Sequence, residues 1–303
     1  MVKLIECVPN YSEGRRTDVI EAIVRPFKDV KGCYLLDYRA DPDHNRLVVS
    51  LVGEPEALEK ALIKSAKIAI ENINLNNHQG AHPRIGVIDV IPFVPLRNIS
   101  MEECVEFSRK FADLFHKETG VPVYFYEESA LRADRRNLEV IRRGQYEALK
   151  KEITKPERHP DIGAPELHPT AGATVIGARK FLIAFNVNLH TKNVSVAKAI
   201  AKAIRASSGG FSAVKAIGLE LREKGMTQVS MNIVDFEKNA MYRVLELIKA
   251  EAKRWGVLVA ETEVYGIVPA AALLDSASYY MQIAGFDPDQ VIELRLLDLL
   301  GRD

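Results

Sequence analysis

The sequence predicts an α+β fold made of two split β-α-β units, and three observations support this prediction. The chain has 303 residues, which is enough for about two domains. Its 47% hydrophobic and 27% charged residues are typical of a globular protein, which excludes a disordered or fibrous chain. In each half, β-rich segments and helical periodicity follow the order β-α-β-β-α-β. We therefore expect two antiparallel sheets, each with helices on one face.

The first half of the chain contains the elements of the first unit. Apolar residues at helical spacing predict one helix over residues 19–27 and another from Pro55 onward. The polar segment 41–45 lies between two β-rich stretches, which predicts a hairpin. The four strands expected in this unit are residues 3–9, 32–37, 47–52 and 86–92.

Further elements extend this unit before the second half begins. We expect a helix at residues 101–118, a strand at 122–126 and helical segments through residue 151. Residues 154–172 contain four prolines and two glycines, which favours an ordered connection over a helix or strand.

The second half repeats the element order without a residue-level repeat. The expected elements are one long strand at 174–188, a helix at 194–206, strands at 213–222 and 227–234, a helix at 236–255, a strand at 257–265 and two C-terminal helices. This organisation predicts an N-terminal subdomain of residues 1–173 and a C-terminal subdomain of residues 174–303. Two such units whose open sheet faces meet would enclose a central tunnel.

Charge and cysteine content limit the possible partners and the compartment. The chain has 41 basic and 41 acidic residues, which argues against a nucleic-acid partner. No export signal is visible, and no apolar run approaches the roughly 18 residues of a membrane helix, so we expect no membrane partner. The cysteines are three in number and far apart, which favours reduced thiols and a cytoplasmic location. An open sheet edge and the frequency of closed dimers favour a homodimer.

The segment 78–86 carries the clearest signal for chemistry. Its histidines, His78 and His82, are four residues apart and would share one face of a helix, which is half of a zinc-binding pattern. Gly80 and Pro83 end helices, so we expect a loop between the second helix and the fourth strand instead. A metal site would need a third ligand, for which His44 and Asp43 are possible, but the spacing does not fix them there, so we expect no metal. An imidazole with its ordinary pKa of about 6.5 is suited to acid–base chemistry, and the alternative is two loop histidines bonded to backbone groups.

Four separated motifs resemble the glutamate formimidoyltransferase (formiminotransferase) family. They occur in the family's order along nearly the whole chain. The motifs are CVPNYSEG at residues 7–14, HQGAHPRIG at 78–86, GARKFLIAFNVN at 177–188 and QVSMN at 228–232.

The resemblance implies a folate-dependent one-carbon transferase of histidine degradation. Members transfer the formimidoyl group from N-formimidoyl-L-glutamate to N5 of tetrahydrofolate, giving 5-formimidoyltetrahydrofolate and L-glutamate. The implied fold is a pair of ferredoxin-like subdomains with the folate in a tunnel between them. Tetrahydrofolate is then the co-substrate, and no metal is implied. The chain ends at Asp303, so we expect the stand-alone form without a cyclodeaminase domain.

The family's catalytic histidine corresponds to His82. Transfer requires N5 to lose a proton and the departing glutamate nitrogen to gain one, and a single imidazole can perform both steps. The resemblance also implies a folate-binding connection, formed by Gly163, Ala164, Pro165, Glu166, Leu167, His168, Pro169, Thr170, Ala171 and Gly172.

Four polar residues of the first half have two interpretations each. Asn10 and Glu13 either orient substrate or form a helix capping box. Arg46 and Arg84 either hold substrate carboxylates through charge-assisted bonds or are solvated surface groups.

Three residues of the second half are further candidates for substrate or folate binding. Asn186 and Asn188 alternate along an apolar strand and so share one sheet face, where they either bind folate or substrate or lie at an exposed strand end. Lys180 either attracts the carboxylates of a folate tail or is solvated.

Departures from the family pattern leave rival functions open. Many members have an acidic residue where Arg39 stands, Lys where Gln79 stands and Ser-Trp where Thr170-Ala171 stand. One rival is a glutamate formyltransferase acting with 5-formyltetrahydrofolate, since the donors differ only by =NH against =O. Another rival is a folate-binding protein without activity.

Overall fold

The computed structural model describes residues 2–300 as a mixed α+β protein with two sheets, which confirms the predicted class. The chain divides into two units, the first ending at Arg179 and the second beginning at Lys180. The boundary predicted from the sequence lies between residues 173 and 174. Within residues 2–300, no helix has both the length and the apolar character to cross a membrane.

The first unit contains seven strands and five helices, together with short 3₁₀ turns. In chain order, they are β1 (Leu4–Cys7), β2 (Asn10–Tyr11), α1 (Thr17–Asp29), β3 (Cys33–Asp41), β4 (Arg46–Gly53), α2 (Pro55–Asn72), β5 (Ile88–Arg97), α3 (Met101–Thr119), β6 (Val123–Phe125), α4 (Leu138–Ile141), α5 (Gln145–Glu152) and β7 (Thr174–Ala178).

The strands of the first unit form one seven-stranded sheet. β1 and β2 both pair antiparallel with β4 on one side and β5 on the other, and β3 pairs with the outer side of β4. β7 then joins β5 in parallel, and β6 joins β7 in parallel. Because β3 is an edge strand, the turn that connects it to β4, residues 42–45, lies at one corner of the sheet.

Helices α1, α2 and α3 bury their apolar stripes in the main core of this unit. The stripe of α1 contains Val19, Ile23 and Phe27, the spacing from which the helix is predicted. Full burial of each such side chain contributes about 1.5–3 kcal/mol. Helix α3 begins with a capping box between Ser100 and Glu103, which satisfies backbone N–H groups of its first turn.

A second apolar cluster lies on the other face of strands β5, β7 and β6. Alternation along β7 sends Ile176 into the main core and Val175 into this second cluster. Ile141 of α4 and Leu149 of α5 cover it. Helix α4 is thereby held beside the segment that leads into β5, where the two histidines lie.

Up to residue 300, where the described part of the chain ends, the second unit contains four strands and four helices. They are β8 (Ile183–Leu189), α6 (Val194–Ile204), β9 (Val214–Leu221), β10 (Met226–Ile233), α7 (Met241–Arg254), β11 (Val259–Tyr265), α8 (Ala270–Met281) and α9 (Ile292–Leu300). The strands form an antiparallel sheet in the order β11-β8-β10-β9. Alternation along β8 sends Phe185 and Val187 into the core, so Asn186 and Asn188 share the opposite face.

The prediction of one long strand over residues 174–188 is wrong. The segment contains two strands, β7 and β8, which belong to different sheets and are separated by residues 179–182. Parallel pairing of β7 with β5 and β6 holds the first strand in the first unit. Because that pairing joins segments distant in sequence, a continuous β-rich stretch gives no sign of the break.

Candidate active site

The histidine segment is a loop, as predicted, and it packs against the turn between β3 and β4. The side chain of Asn45 joins the two: its Nδ2 donates to the carbonyl oxygen of Gln79 at 2.9 Å, and its Oδ1 accepts from the backbone N–H of Gly14 at 2.9 Å. The backbone N–H of Ala81 donates to the carbonyl oxygen of Asp43 at 3.3 Å. The turn therefore fixes the loop from 79 to 82.

His78 serves the structure of this loop. Its Nδ1 accepts from Nε of Arg84 at 3.1 Å, so the proton is on Nε2, which donates to the carbonyl oxygen of Asn45 at 3.0 Å. Burial lowers the pKa of His78, and the nearby Arg84 guanidinium adds to this effect. Both ring nitrogens are thus occupied, in agreement with the interpretation of a histidine bonded to its surroundings.

Arg84 is buried and joins the loop to α5. Its Nη2 donates to Oε1 of Glu147 at 2.6 Å, and its Nη1 donates to Oε2 of the same carboxylate at 2.9 Å. Nη1 also donates to Oε1 of Gln145 at 3.0 Å. The guanidinium proposed from sequence as a substrate ligand is therefore held by groups of the protein itself.

His82 is half-buried at the end of the fixed loop and lies beside His44. The two ring centroids are 6.4 Å apart, with an edge-on angle of 64°. Burial first, and then the positive charges of Arg46 and Arg142, lower the pKa of His82 to about 2. His82 is therefore neutral near pH 7 and has an imidazole nitrogen that can accept a proton.

Two arginines bring positive charge to His82 from different elements. Arg46 begins β4, immediately after the turn, and Arg142 follows the last residue of α4. Arg142 forms an ion pair with the buried carboxylate of Asp89, whose Oδ1 also accepts from the backbone N–H of Ile85 at 2.8 Å. The site thus combines a neutral imidazole with two guanidinium groups, which suits a substrate bearing carboxylates.

Sequence reasoning missed Arg142, Asp89 and the pair Asp41–His44. Asp89 is the one carboxylate in β5, whose other residues are apolar except the final Arg97, and a buried carboxylate needs a cationic partner. This isolated carboxylate was the signal in the sequence for a buried ion pair, although it does not identify Arg142 as the partner. The carboxylate of Asp41 accepts from Nδ1 of His44 at 2.7 Å and from the backbone N–H groups of Asp43 and His44.

Asn10 and Glu13 stabilise the segment that leads into α1. The buried Glu13 carboxylate accepts from the backbone N–H of Arg15 at 2.9 Å and of Arg16 at 3.0 Å. Burial alone would raise the pKa of Glu13, but these hydrogen bonds and the Arg16 side chain lower it. Asn10 donates from Nδ2 to the carbonyl oxygen of Val8 at 2.9 Å. It is not the cap of the predicted capping box, because α1 begins at Thr17 with Arg16 as its N-cap.

The predicted folate-binding connection lies beside both ends of the histidine segment. The carbonyl oxygen of Thr170 accepts from the backbone N–H of Leu75 at 2.8 Å, and that of Ala171 accepts from Val87 at 2.9 Å. Nδ1 of His168 accepts from the backbone N–H of Ala171 at 3.0 Å and closes the turn. Residues 163–166 are exposed, whereas 171 and 172 are buried.

The candidates in the second unit belong to polar clusters of their own. Asn188 is fully buried, donates to the carboxylates of Glu261 and Glu263 at 2.9 and 3.2 Å, and accepts from Nε2 of Gln228 at 2.8 Å. Asn186 is half-buried on the same face. Lys180 lies in a different cluster, with carboxylate oxygens of Asp235 and Glu237 at 3.0 and 3.1 Å.

Residues 2–300 contain no group of three or more His, Cys, Asp or Glu side chains arranged to hold a metal ion. The histidine pair that suggested zinc is therefore without a third ligand of these types in the part of the chain that the structure describes.

Comparisons with known proteins match the chain over nearly its full length. Residues 4–179 match the formiminotransferase domain, N-terminal subdomain, and residues 184–297 match the formiminotransferase domain. The chain is 47% identical to the glutamate formimidoyltransferase of Streptococcus pyogenes serotype M1, covering 98% of this chain and 100% of that protein. It is 44% identical to the glutamate formimidoyltransferase of Thermoplasma acidophilum, covering 97% and 98%.

A longer relative extends the same match. The formimidoyltransferase-cyclodeaminase of Gallus gallus is 44% identical over 93% of this chain and 53% of that protein. The family resemblance seen in the four sequence motifs is thereby confirmed. The chain belongs to the formiminotransferase family.

Proposed function

We propose that this protein is a glutamate formimidoyltransferase. It transfers the formimidoyl group of N-formimidoyl-L-glutamate to N5 of tetrahydrofolate and releases L-glutamate. The bond between the amidine carbon and the glutamate nitrogen breaks, and a bond between that carbon and N5 forms. N5 loses one proton and the glutamate nitrogen gains one, so the reaction needs a proton acceptor near N5.

The neutral His82 imidazole is the observation that carries this proposal. The backbone of the loop that presents it is fixed by the Asn45 side chain before substrate binds. The pKa of about 2 leaves the His82 ring unprotonated near pH 7 but makes it a weak base, so it takes the N5 proton only once bound substrate raises that pKa. Anionic groups bound near His82 would raise this pKa and so strengthen the base when substrate is present.

Arg46 and Arg142 are the proposed partners of the glutamate carboxylates. Both guanidinium groups lower the pKa of His82, and Arg46 directly follows Asn45, which bonds to the histidine loop. Arg142 is already paired with Asp89, which fixes its position in the wall of the site. Guanidinium groups bind carboxylates through charge-assisted hydrogen bonds, and this arrangement would place the formimidoyl end of the donor beside the imidazole.

We propose that tetrahydrofolate contacts the connection 163–172, whose last residues pack against both ends of the histidine segment. The exposed part, residues 163–166, offers backbone groups for this contact. Binding of substrate or folate by Asn186 and Asn188 stays a prediction from the sequence. Ferredoxin-like subdomains are supported by the β-α-β-β-α-β order in each unit. The tunnel, the cytoplasmic location and the homodimer stay predictions from the sequence.

The donor decides between this proposal and its rivals. Purified protein is incubated with tetrahydrofolate and either N-formimidoyl-L-glutamate or N-formyl-L-glutamate, and the folate spectrum is followed. Turnover with the formimidoyl donor alone supports the proposal, as the names of the two stand-alone relatives lead us to expect. Turnover with only the formyl donor supports the formyltransferase. Tight tetrahydrofolate binding without turnover on either donor supports a binding protein.

A further inference from the structure

The three histidines around this site differ in what their ring nitrogens do. His78 uses both nitrogens in bonds to the protein. His44 uses only Nδ1, which donates to Asp41 at 2.7 Å. Within residues 2–300, neither Nε2 of His44 nor the ring of His82 takes part in a hydrogen bond. His44 and His82 are therefore the two imidazoles of this cluster with a nitrogen available to a substrate.

The surroundings of these two rings differ in the charged groups placed beside each imidazole. His82 is half-buried, and two guanidinium groups lower its pKa. The Asp41 carboxylate raises that pKa, but its effect is the smallest of those acting on the ring. His44 is half-exposed and bonded directly to the Asp41 carboxylate. Burial would raise the pKa of Asp41, but hydrogen bonds from His44 and Asp43 lower it, so the carboxylate is charged near pH 7. A charged carboxylate stabilises an imidazolium, whereas nearby guanidinium groups oppose one.

The proposed transfer needs a base and an acid at two different nitrogens. Groups whose surroundings favour opposite protonation states are suited to divide these two roles. We propose that His44, oriented by Asp41, is a second catalytic residue that donates the proton to the departing glutamate nitrogen while His82 accepts the proton from N5.

The proton balance closes over one turnover. His82 gains the N5 proton as the bond between N5 and carbon forms, and His44 gives its Nε2 proton as the bond between carbon and glutamate nitrogen breaks. Transfer of one proton from His82 to His44 through solvent then restores both rings, whose centroids are 6.4 Å apart. Asp41 keeps its charge throughout and is a positioning residue. This inference rests on the proposed function.

The charged groups that face His44 define the variants to be compared. Asp41 ends β3 and Asp43 lies in the turn with His44, while the ring of His82 is 6.4 Å away in the loop and Arg46 begins β4 two positions after His44. His44→Ala removes the acid, and Asp41→Asn removes the carboxylate that stabilises its charged form. Asp43→Asn is the matched control, because it removes a carboxylate of the same turn whose side chain forms no hydrogen bond to His44.

The experiment measures kcat, KM and the pH dependence of kcat with tetrahydrofolate and N-formimidoyl-L-glutamate. We expect His44→Ala to lower kcat by about 10²-fold or more with little change in KM, and added imidazole to restore part of it. A general acid must be protonated, so kcat falls above its pKa. Asp41→Asn removes the charge bonded to Nδ1 of His44, and we expect the alkaline limb of the kcat profile to move to lower pH. Asp43→Asn should keep the wild-type profile.

Failure of the inference differs from failure of the proposed function. Wild-type protein without formimidoyl transfer overturns the proposed function. Active wild-type protein, with His44→Ala equal to it in kcat and pH profile, overturns only the inference. The inference is also overturned if folded His44→Ala protein has lost activity that imidazole does not restore, while Asp41→Asn keeps the wild-type pH profile of kcat. His44 would then act only as part of the turn.

Discussion

Gly80 lies so close to the carbonyl oxygen of His44 that a β-carbon at position 80 would be 2.2 Å from that oxygen. Both groups belong to the backbone, so the clash is relieved only if the turn or the loop moves. We expect Gly80→Ala to lower kcat by about 10-fold to 10²-fold, because a displacement near 1 Å suffices for such a loss. Unfolding should become easier by about 1–3 kcal/mol. Steady-state kinetics and denaturant titration measure the two effects.

Gly225→Ala is the control for the Gly80 variant. Gly225 lies in the turn between β9 and β10 with φ of +62°, and a β-carbon there would have the end of the Lys192 side chain as its nearest neighbour, at 3.4 Å. The left-handed backbone should cost about 1–2 kcal/mol of stability without an effect on kcat. Equal loss of kcat in both variants would show that general destabilisation, and not loop position, is responsible.

Removal of the His82 imidazole should abolish most of the activity. We expect His82→Ala to reduce kcat by about 10²-fold to 10⁴-fold, which is the usual contribution of general acid–base catalysis. His159→Ala is the comparison: Nε2 of His159 bonds to the carbonyl oxygen of Thr154 at 3.0 Å in the connection, away from the histidine loop. It should keep wild-type kcat. Unaltered kcat in folded His82→Ala would remove the basis of the proposed mechanism.

His82 also makes stability depend on pH. Its pKa falls from the ordinary value near 6.5 in the unfolded chain to about 2 in the folded protein. Between these values the unfolded state binds more protons, so stability is complete above about pH 6.5 and decreases as the pH falls. The upper limit is about 1.4 kcal/mol per pH unit, and solvent screening of the half-buried ring reduces it.

His82→Gln should therefore be less sensitive to acid than the wild type. Denaturant titration at pH 7, 6 and 5 measures the free energy of unfolding of both proteins. We expect the difference between them to shift in favour of the variant at each lower pH. A constant difference across this range would mean that the folded protein does not hold the imidazole neutral.

Local sequence features predict the parts of the fold whose cause is local. The helical spacing of Val19, Ile23 and Phe27 fixes which face of α1 is buried, so the helix follows from the sequence. Gly80 and Pro83 prevent a helix at the histidine segment, and the loop is predictable for that reason.

The parts that sequence reasoning missed depend on contacts between distant segments. Asp89 and Arg142 are separated by 53 positions and belong to a strand and a helix end, so no periodicity connects them. The break between β7 and β8 has the same origin, because parallel pairing with β5 holds β7 in the first sheet. The role of Arg84 was equally hidden, since its partner Glu147 is on α5.

The buried ion pair of Arg135 and Asp161 lies just before the connection that we propose to bind folate, residues 163–172. Nη1 of Arg135 donates to Oδ1 of Asp161 at 2.6 Å, and Oδ2 of the same carboxylate accepts from the backbone N–H of Phe125 at 2.8 Å. The side chains are only 5% and 7% exposed. Asp161→Ala leaves a buried guanidinium without this partner, which should cost about 3–5 kcal/mol of stability.

The same variant should affect folate binding more than the chemical step. Asp161 precedes the connection by two positions, so its loss loosens residues 163–172 while His82 stays on its own loop. We expect KM for tetrahydrofolate to rise, with kcat at saturation close to the wild type. Arg132→Ala breaks the exposed pair with Asp134 at 2.9 Å and should cost at most about 1 kcal/mol. If KM for tetrahydrofolate is unchanged in Asp161→Ala while stability falls as expected, residues 163–172 do not take part in folate binding.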